Sequence, residues 1–377
     1  MNFFCHLPWT AVHINQKNCA PCCMYRPEDE SQLNTLENYL KSEELAQVKS
    51  QLLDGQAPVQ CHSCVEREAA NGHSFRILHN KFHDERTQEI LSNSEYNKLP
   101  SNLEVLTSNT CNLLCLSCNT GASYVRNVEL NKLGLQSRIL PHFKKNSVLD
   151  EVHKYDFEHI TLLGGEPFGD KVTFECLRNL AAHGKSQNTR IDLNTNGTLI
   201  DQENIDFLGE NFKFVYIKAS IDGIGAVNDY LRYPADWKDL EPRVLLAQKY
   251  SNMSLMLTST LSNLSIMRYY QVIEWAMENS IKDLFLTVVH DPLEMHFANL
   301  PTDIKNHLLG VYQDLKNKYA GQMSERIEFA IDTCINSCLA ESNQDFSTAL
   351  HWLQRHDQHR GNNILDVFPE LKPYAKT

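Results

Sequence analysis

Six short apolar runs, Leu103–Thr107, His159–Leu163, Arg190–Leu193, Phe214–Ile221, Ser254–Thr260 and Leu284–Val289, constrain the fold of this chain more than any other feature. Amphipathic helical patterns accompany them at Thr173–Ala182, Asp201–Leu208, Trp237–Tyr250, Met267–Asn279 and Ile304–Tyr319. Alternation of this kind predicts an α/β fold with a parallel sheet, since parallel neighbours are joined by helical crossovers. Right-handed crossovers leave an open doubly wound sheet or a full or partial barrel. In each, chemistry sits at the carboxyl ends of the strands.

The chain has 377 residues, enough for two or three domains at about 150 residues each. Its 35 basic and 47 acidic side chains leave a net charge of −12, which works against nucleic acid or anionic membrane as a partner. No apolar run reaches the roughly 18 residues of a membrane span, and Met1–Pro8 lacks the pattern of a signal peptide. The expected location is the cytoplasm, where disulfides are disfavoured and the 12 cysteines point instead to metal or catalytic thiolates. They divide the sequence: Cys5, Cys19, Cys22, Cys23, Cys61 and Cys64 come first, Cys111, Cys115 and Cys118 follow, and Cys334 and Cys338 form a late pair. The expected boundaries are a cysteine-rich region over 1–99, a strand–helix region over 100–300 and a helical extension over 301–377. A polar helical stretch opening at Ser31 and ending near Gly55 splits the first cysteine group.

Directly after the first apolar run stands Cys111-Asn112-Leu113-Leu114-Cys115-Leu116-Ser117-Cys118. Three thiolates so placed are one short of the four of a structural zinc site or a closed iron–sulfur cluster, and leave one coordination position for water or substrate. The competing reading is a zinc site completed by a distant His or Cys. The second run leads into Gly164-Gly165-Glu166-Pro167, where glycines would let a ligand approach the backbone and Glu166 offers an acceptor to an ammonium group.

Together these two motifs resemble those of the radical S-adenosylmethionine (SAM) enzymes. The resemblance implies a partial (β/α)6 TIM-like barrel in which Cys111, Cys115 and Cys118 hold a 4Fe-4S cluster whose fourth iron binds SAM. It implies that Gly164, Gly165 and Glu166 position the SAM amine, and that Asn194, Ser220, Asp222 and Arg232, at or after the next strand ends, also contact SAM. Physically, Arg232 suits a carboxylate clamp. Turn chemistry is the plainer reading of Asn196-Gly197 and Asp222-Gly223. Ser117 departs from the aromatic residue common before the third cysteine, which leaves the adenine to backbone or to a residue such as Tyr124.

At the amino terminus, Cys5-His6-Leu7-Pro8-Trp9, Cys22-Cys23 and Cys61-His62-Ser63-Cys64 supply enough thiolates for a closed site, and spacing does not distinguish zinc from iron–sulfur. With Glu68, Gly72, Ser74 and Arg76 they resemble the twitch or SPASM-type auxiliary-cluster region of the same enzymes, in permuted order because here it precedes the barrel. That likeness selects Cys5, Cys22, Cys61 and Cys64 as ligands of a second 4Fe-4S cluster and leaves Cys19 and Cys23 spare. Cys334 and Cys338 fit helical core packing better than a metal site, and Cys176 fits packing.

Side chains alternate along a strand, so Tyr216 and Lys218 share the face of Ser220. Lys218 is a candidate proton acceptor or substrate anchor, with an ion pair to Asp192 as the alternative. His290 is a weaker candidate general base. The resemblance implies reductive cleavage of SAM to a 5′-deoxyadenosyl radical and hydrogen abstraction from a peptide or small-molecule substrate. Oxidative modification of a peptide or protein is the first expectation, with flavodoxin or ferredoxin as reductant. Dehydrogenation or epimerisation of a carbohydrate or amino sugar is the second. A non-catalytic zinc or iron–sulfur partner protein is the reading from another class.

Overall fold

A computed structural model describes residues 3–16, 18–27, 35–93, 96, 98–341 and 346–375. Its centre is one eight-stranded sheet: β1 (Ala11–Ile14), β2 (Cys19–Ala20), β3 (Asn102–Leu106), β4 (His159–Leu163), β5 (Arg190–Thr195), β6 (Phe214–Ser220), β7 (Met253–Leu261) and β8 (Asp283–Val288). The spatial order is β2-β1-β3-β4-β5-β6-β7-β8. Every neighbouring pair is parallel except the β1–β2 hairpin. The six expected strands are therefore present as β3 to β8, within a partial-barrel α/β fold. What differs is the edge: the cysteine-rich segment adds two strands, with Val12 paired to Leu103, so it shares the sheet of the barrel.

One face of each strand packs against the helices. Val105, Leu162, Leu193, Ile217, Ala219 and Leu257 are fully buried there. Parallel sheets are ordinarily covered by apolar packing on both faces. Here the opposite face carries Glu104, Thr161, Asp192, Asn194, Lys218 and Ser220, so the concave side of the sheet is a polar lumen rather than a core.

The helices follow from apolar spacing and caps. In Lys171–Ala182 the side chain of Asp170 accepts from the Val172 amide, and Phe174, Leu177 and Leu180 are buried on one face. Each such side chain contributes about 1.5–3 kcal/mol. Cys176 packs in this core, as expected. Ser31 lies outside the described residues, and the helices of that stretch are Leu36–Leu40 and Glu43–Leu53. The carboxyl-terminal part forms Thr302–Lys318, Glu325–Leu339 and Phe346–Arg360. Among the described residues no helix is long and apolar enough to cross a membrane.

Candidate functional site

The three-cysteine loop leaves β3 and is fastened on two sides. The amides of Leu114 and Leu116 donate to the carbonyls of Tyr233 and Leu231 at 2.6 and 2.9 Å. On the β4 side, the amides of Gly165 and Glu166 donate to the carbonyls of Ser108 and Thr110 at 3.0 and 2.9 Å. A Cβ on Gly165 would lie 2.1 Å from the Thr110 carbonyl oxygen, and one on Gly164 would lie 2.7 Å from Thr107 Oγ1. At both positions the missing side chain leaves room for the segment that leads from β3 into the cysteine loop.

Cys115 is buried and Cys111 and Cys118 are half-buried. Asn196 Nδ2 and Arg232 Nη1 each stand 3.8 Å from a sulfur, of Cys111 and Cys115 respectively. Burial pushes the Cys111 thiol up to about 11 and the Cys118 thiol to about 12, so ligation at this loop releases protons.

Glu166 is fixed by three donors. Oε1 accepts from Thr195 Oγ1 at 2.6 Å and from the Phe168 amide at 3.0 Å, and Oε2 accepts from the Asn196 amide at 2.6 Å. Burial raises its pKa despite these bonds. With a single protein donor, Oε2 keeps acceptor capacity for one more. Thr195 and Asn196, the two residues after Asn194, join the glutamate to the cysteine loop. Asn194 points its Oδ1 to a buried position without a hydrogen-bond partner. Arg232 pairs with Asp222 at 2.9 Å, and Asp222 also accepts from the Thr260 amide at 2.8 Å. Arg232 Nε is buried without a partner. The cysteines, Glu166, Asp222 and Arg232 are thus linked by short contacts at one end of the sheet. The thiols, a poised carboxylate and orphaned polar atoms suit a cluster and a zwitterionic ligand.

A family model described as the Radical SAM superfamily matches residues 105–258. The matched stretch runs from β3 into β7. The chain is 32% identical over 123 residues to the Fe-coproporphyrin III synthase of Methanosarcina barkeri, a match covering 32% of this chain and 27% of that protein. It therefore spans about a quarter of the length of this curated relative. Among solved structures, native anSMEcpe with bound AdoMet is similar at 21% identity, TM-score 0.43, over 58% of this chain and 62% of that one. SuiB of Streptococcus suis bound to S-adenosylmethionine is similar at 15% identity, TM-score 0.40, over 73% and 64%.

In the lumen of the matched region, Lys218 Nζ lies 2.8 Å from Asp192 Oδ2. The same carboxylate takes Arg190 at 2.7 Å and His159 at 3.0 Å. Further along, Tyr216 donates to Asp283 at 2.7 Å, and Ser220 and Thr258 share a 3.2 Å hydroxyl contact. Phe285, on the free edge strand β8, is paired to Thr258 in register and is 50% exposed, so the lumen is open on that side. His290 lies exposed beyond β8, its ring 6.4 Å from that of His296.

The amino-terminal cysteines meet at the opposite end of the strands. Cys5, Cys22, Cys61 and Cys64 line one pocket with Tyr25 and Arg76. Burial pushes the Cys5 and Cys61 thiols up to about 12. The residues singled out around the Cys-x-x-Cys form a latch: Gly72 ends the helix His62–Asn71 at φ +73°, and Ser74 donates to Glu68 at 2.5 Å. Arg76 grips Glu68 with Nε and Nη2 and donates from Nη1 to the Phe4 carbonyl at 2.8 Å, which draws the Cys61–Cys64 helix to the Cys5 segment. Next to this pocket is a cavity of about 330 Å³ lined by His6, His13, Cys22, Cys23, Glu104 and Arg190, among others, so it reaches from the cysteines to the amino ends of the lumen strands. Cys19 is buried in β2, and Cys334 and Cys338 are buried in Glu325–Leu339; none of the three lines either pocket. Among the described residues, no group of three or more His, Cys, Asp or Glu side chains stands close enough together to hold a metal ion as placed.

Proposed function

We propose that this chain is a radical SAM enzyme with two iron–sulfur sites, one at each end of the barrel lumen, and that it oxidatively modifies a peptide or protein substrate held between them. The observation that carries this reading is the convergence of Cys5, Cys22, Cys61 and Cys64 on one pocket beside a cavity that opens toward Glu104 and Arg190. A four-thiolate site placed there is suited to take an electron from an oxidised substrate.

In this reading Cys111, Cys115 and Cys118 hold the first 4Fe-4S cluster, and Cys5, Cys22, Cys61 and Cys64 hold the second. When bound, the first cluster supplies the electron that cleaves SAM to methionine and a 5′-deoxyadenosyl radical. The residues of the chain then have distinct tasks. Glu166 Oε2 accepts from the SAM amine, for which Thr195 and the Asn196 amide pre-orient it. Arg232 presents its unpartnered Nε toward the same site, with Asp222 fixing its plane. Ser220 and Asn194 offer neutral hydrogen bonds on the lumen wall. Lys218, held by Asp192, anchors substrate as a cation. The hydroxyls of Ser220, Thr258 and Thr260 with the exposed ring of Phe285 suit the amides and side chains of an extended peptide entering past β8. His290 remains the candidate base at the mouth.

Anaerobic reconstitution tests the reading. About eight irons and eight sulfides per chain are expected, falling to about four in Cys111→Ala/Cys115→Ala/Cys118→Ala and to about four in Cys61→Ala/Cys64→Ala. Stoichiometric zinc in place of iron would overturn it.

A further inference from the structure

Outside the family-matched stretch, the last long helix reaches the cysteine loop. Arg360 closes Phe346–Arg360 and forks onto Glu129, 231 residues away in the chain, with Nε at 2.7 Å from Oε1 and Nη2 at 2.8 Å from Oε2. Arg126, one helical turn before Glu129, bonds the same Oε2. The side chains of Arg126, Glu129 and Arg360 are 1%, 3% and 3% exposed. Among the groups in contact, one carboxylate thus faces two guanidiniums in a dry interior, a local surplus of one positive charge, while Asp357, buried on the same helix, acts on Arg360 from beyond ion-pair distance. A buried charge without compensation is costly.

The remaining donors show where the surplus is directed. Arg360 Nη2 donates to the Leu114 carbonyl at 2.5 Å, and Arg126 Nη2 to the Leu116 carbonyl at 3.2 Å. These carbonyls flank Cys115. The amides of the same two leucines are bonded to Tyr233 and Leu231, so the loop is pinned on both sides of the central cysteine. The ring of Tyr233 lies 5.1 Å from the Arg360 guanidinium and that of Trp352 5.6 Å from Arg126, which fixes both planes.

We propose that Arg126, Glu129 and Arg360 are positioning residues through which the carboxyl-terminal extension sets the reduction potential of the cluster at the three-cysteine loop. This rests on the reading of Cys111, Cys115 and Cys118 as its ligands. Reduction adds a negative charge to a thiolate-bound cluster, and a fixed positive surplus beside it favours the reduced state. A neutral apolar plug would hold the loop equally well but would not supply that field. The extension is therefore part of the redox machinery and not only a lid over the barrel.

The test is an EPR-monitored redox titration of the full, anaerobically reconstituted chain, following the signal that changes on adding SAM. Arg360→Gln removes positive charge and is expected to lower the reduction equilibrium constant about tenfold, a shift of about 59 mV to more negative potential for one electron. Glu129→Gln removes negative charge and is expected to shift it the opposite way. Arg360→Lys, which keeps the charge and loses the fork, is expected to stay near wild type. Shifts of the same sign in Arg360→Gln and Glu129→Gln, or no shift with the signal retained, would overturn the proposal. If Arg360→Gln does not keep its cluster, Arg360→Lys and Glu129→Gln decide: an upward shift confined to Glu129→Gln supports the field, and its absence refutes it. A wild-type chain with no SAM-responsive signal would instead refute the underlying reading.

Discussion

Lys218 and Asp192 form a 2.8 Å ion pair across adjacent strands of the barrel lumen, and Asp192 is the hub of that wall because Arg190 and His159 bond it too. Burial alone would push the Asp192 carboxyl up. The hydrogen bonds from His159 and Arg190 and the charge of Lys218 outweigh burial and hold it well below the usual carboxylate range. A carboxyl depressed in the folded state contributes stability above its unfolded value, about 3.9, and loses it as pH falls toward the folded value. Asp192→Asn should therefore cost about 2 kcal/mol at pH 7, a figure reduced for the partial exposure of Lys218 and Arg190. Urea unfolding from pH 7 to pH 3 is the check: the gap between wild type and variant should narrow below about pH 4.

The latch around the amino-terminal cysteines has a separable role. Arg76→Ala removes both bonds to Glu68 and the bond to the Phe4 carbonyl, and should free the Cys5 segment from the Cys61–Cys64 helix at a local cost of about 2–3 kcal/mol. Iron analysis should show roughly half of the wild-type content, with SAM affinity unchanged. Loss of both clusters would show that the latch carries the whole fold.

Gly165 should not tolerate a methyl group. A Cβ at 2.1 Å from the Thr110 carbonyl oxygen forces the β4 turn and the cysteine loop apart. Gly165→Ala is expected to lose about 3 kcal/mol or more, read as a lower thermal midpoint, and to weaken SAM binding at least tenfold. Gly310→Ala is the control for the binding measurement, because Gly310 lies inside the helix Thr302–Lys318 and a Cβ there meets nothing within 4 Å.

Glu166→Gln keeps the shape and exchanges an oxygen for an amide nitrogen among three donors, so one of Thr195, Asn196 or Phe168 must lose its acceptor. In the proposed function a charge-assisted bond to the SAM amine is lost as well. SAM affinity by calorimetry should fall ten- to a hundredfold while cluster content is retained. Unchanged affinity would remove Glu166 from the SAM site.

Strand residues proved easy to read where runs were apolar and flanked by helices: His159–Leu163 is β4 as expected, and the other five expected strands are off by one or two residues at their ends. The lumen face followed from alternation, and with it the Lys218–Asp192 pair. β1 and β2 escaped notice because Ala11–Ile14 and Cys19–Ala20 are too short to show a period and gain their strand character only by pairing with β3 and with each other. Cys5, Cys22, Cys61 and Cys64 line one pocket, whereas the Arg126–Glu129–Arg360 cluster had no local signal. Its members are joined only by the docking of the last long helix, and long-range ion pairs leave no trace in composition or spacing. That Thr195 and Asn196 reach Glu166 had no local signal either, because the turn after β5, with Gly197 at φ +80°, directs them there.

In the proposed function Cys111, Cys115 and Cys118 hold a cluster with one iron open to SAM. Formation of 5′-deoxyadenosine by the anaerobically reconstituted, dithionite-reduced chain tests it most directly, with wild type beside Cys115→Ala. Wild type should convert SAM to 5′-deoxyadenosine and methionine, and Cys115→Ala should yield neither above background. Equal product from the two, or none from a wild-type chain carrying its full iron, would contradict the account.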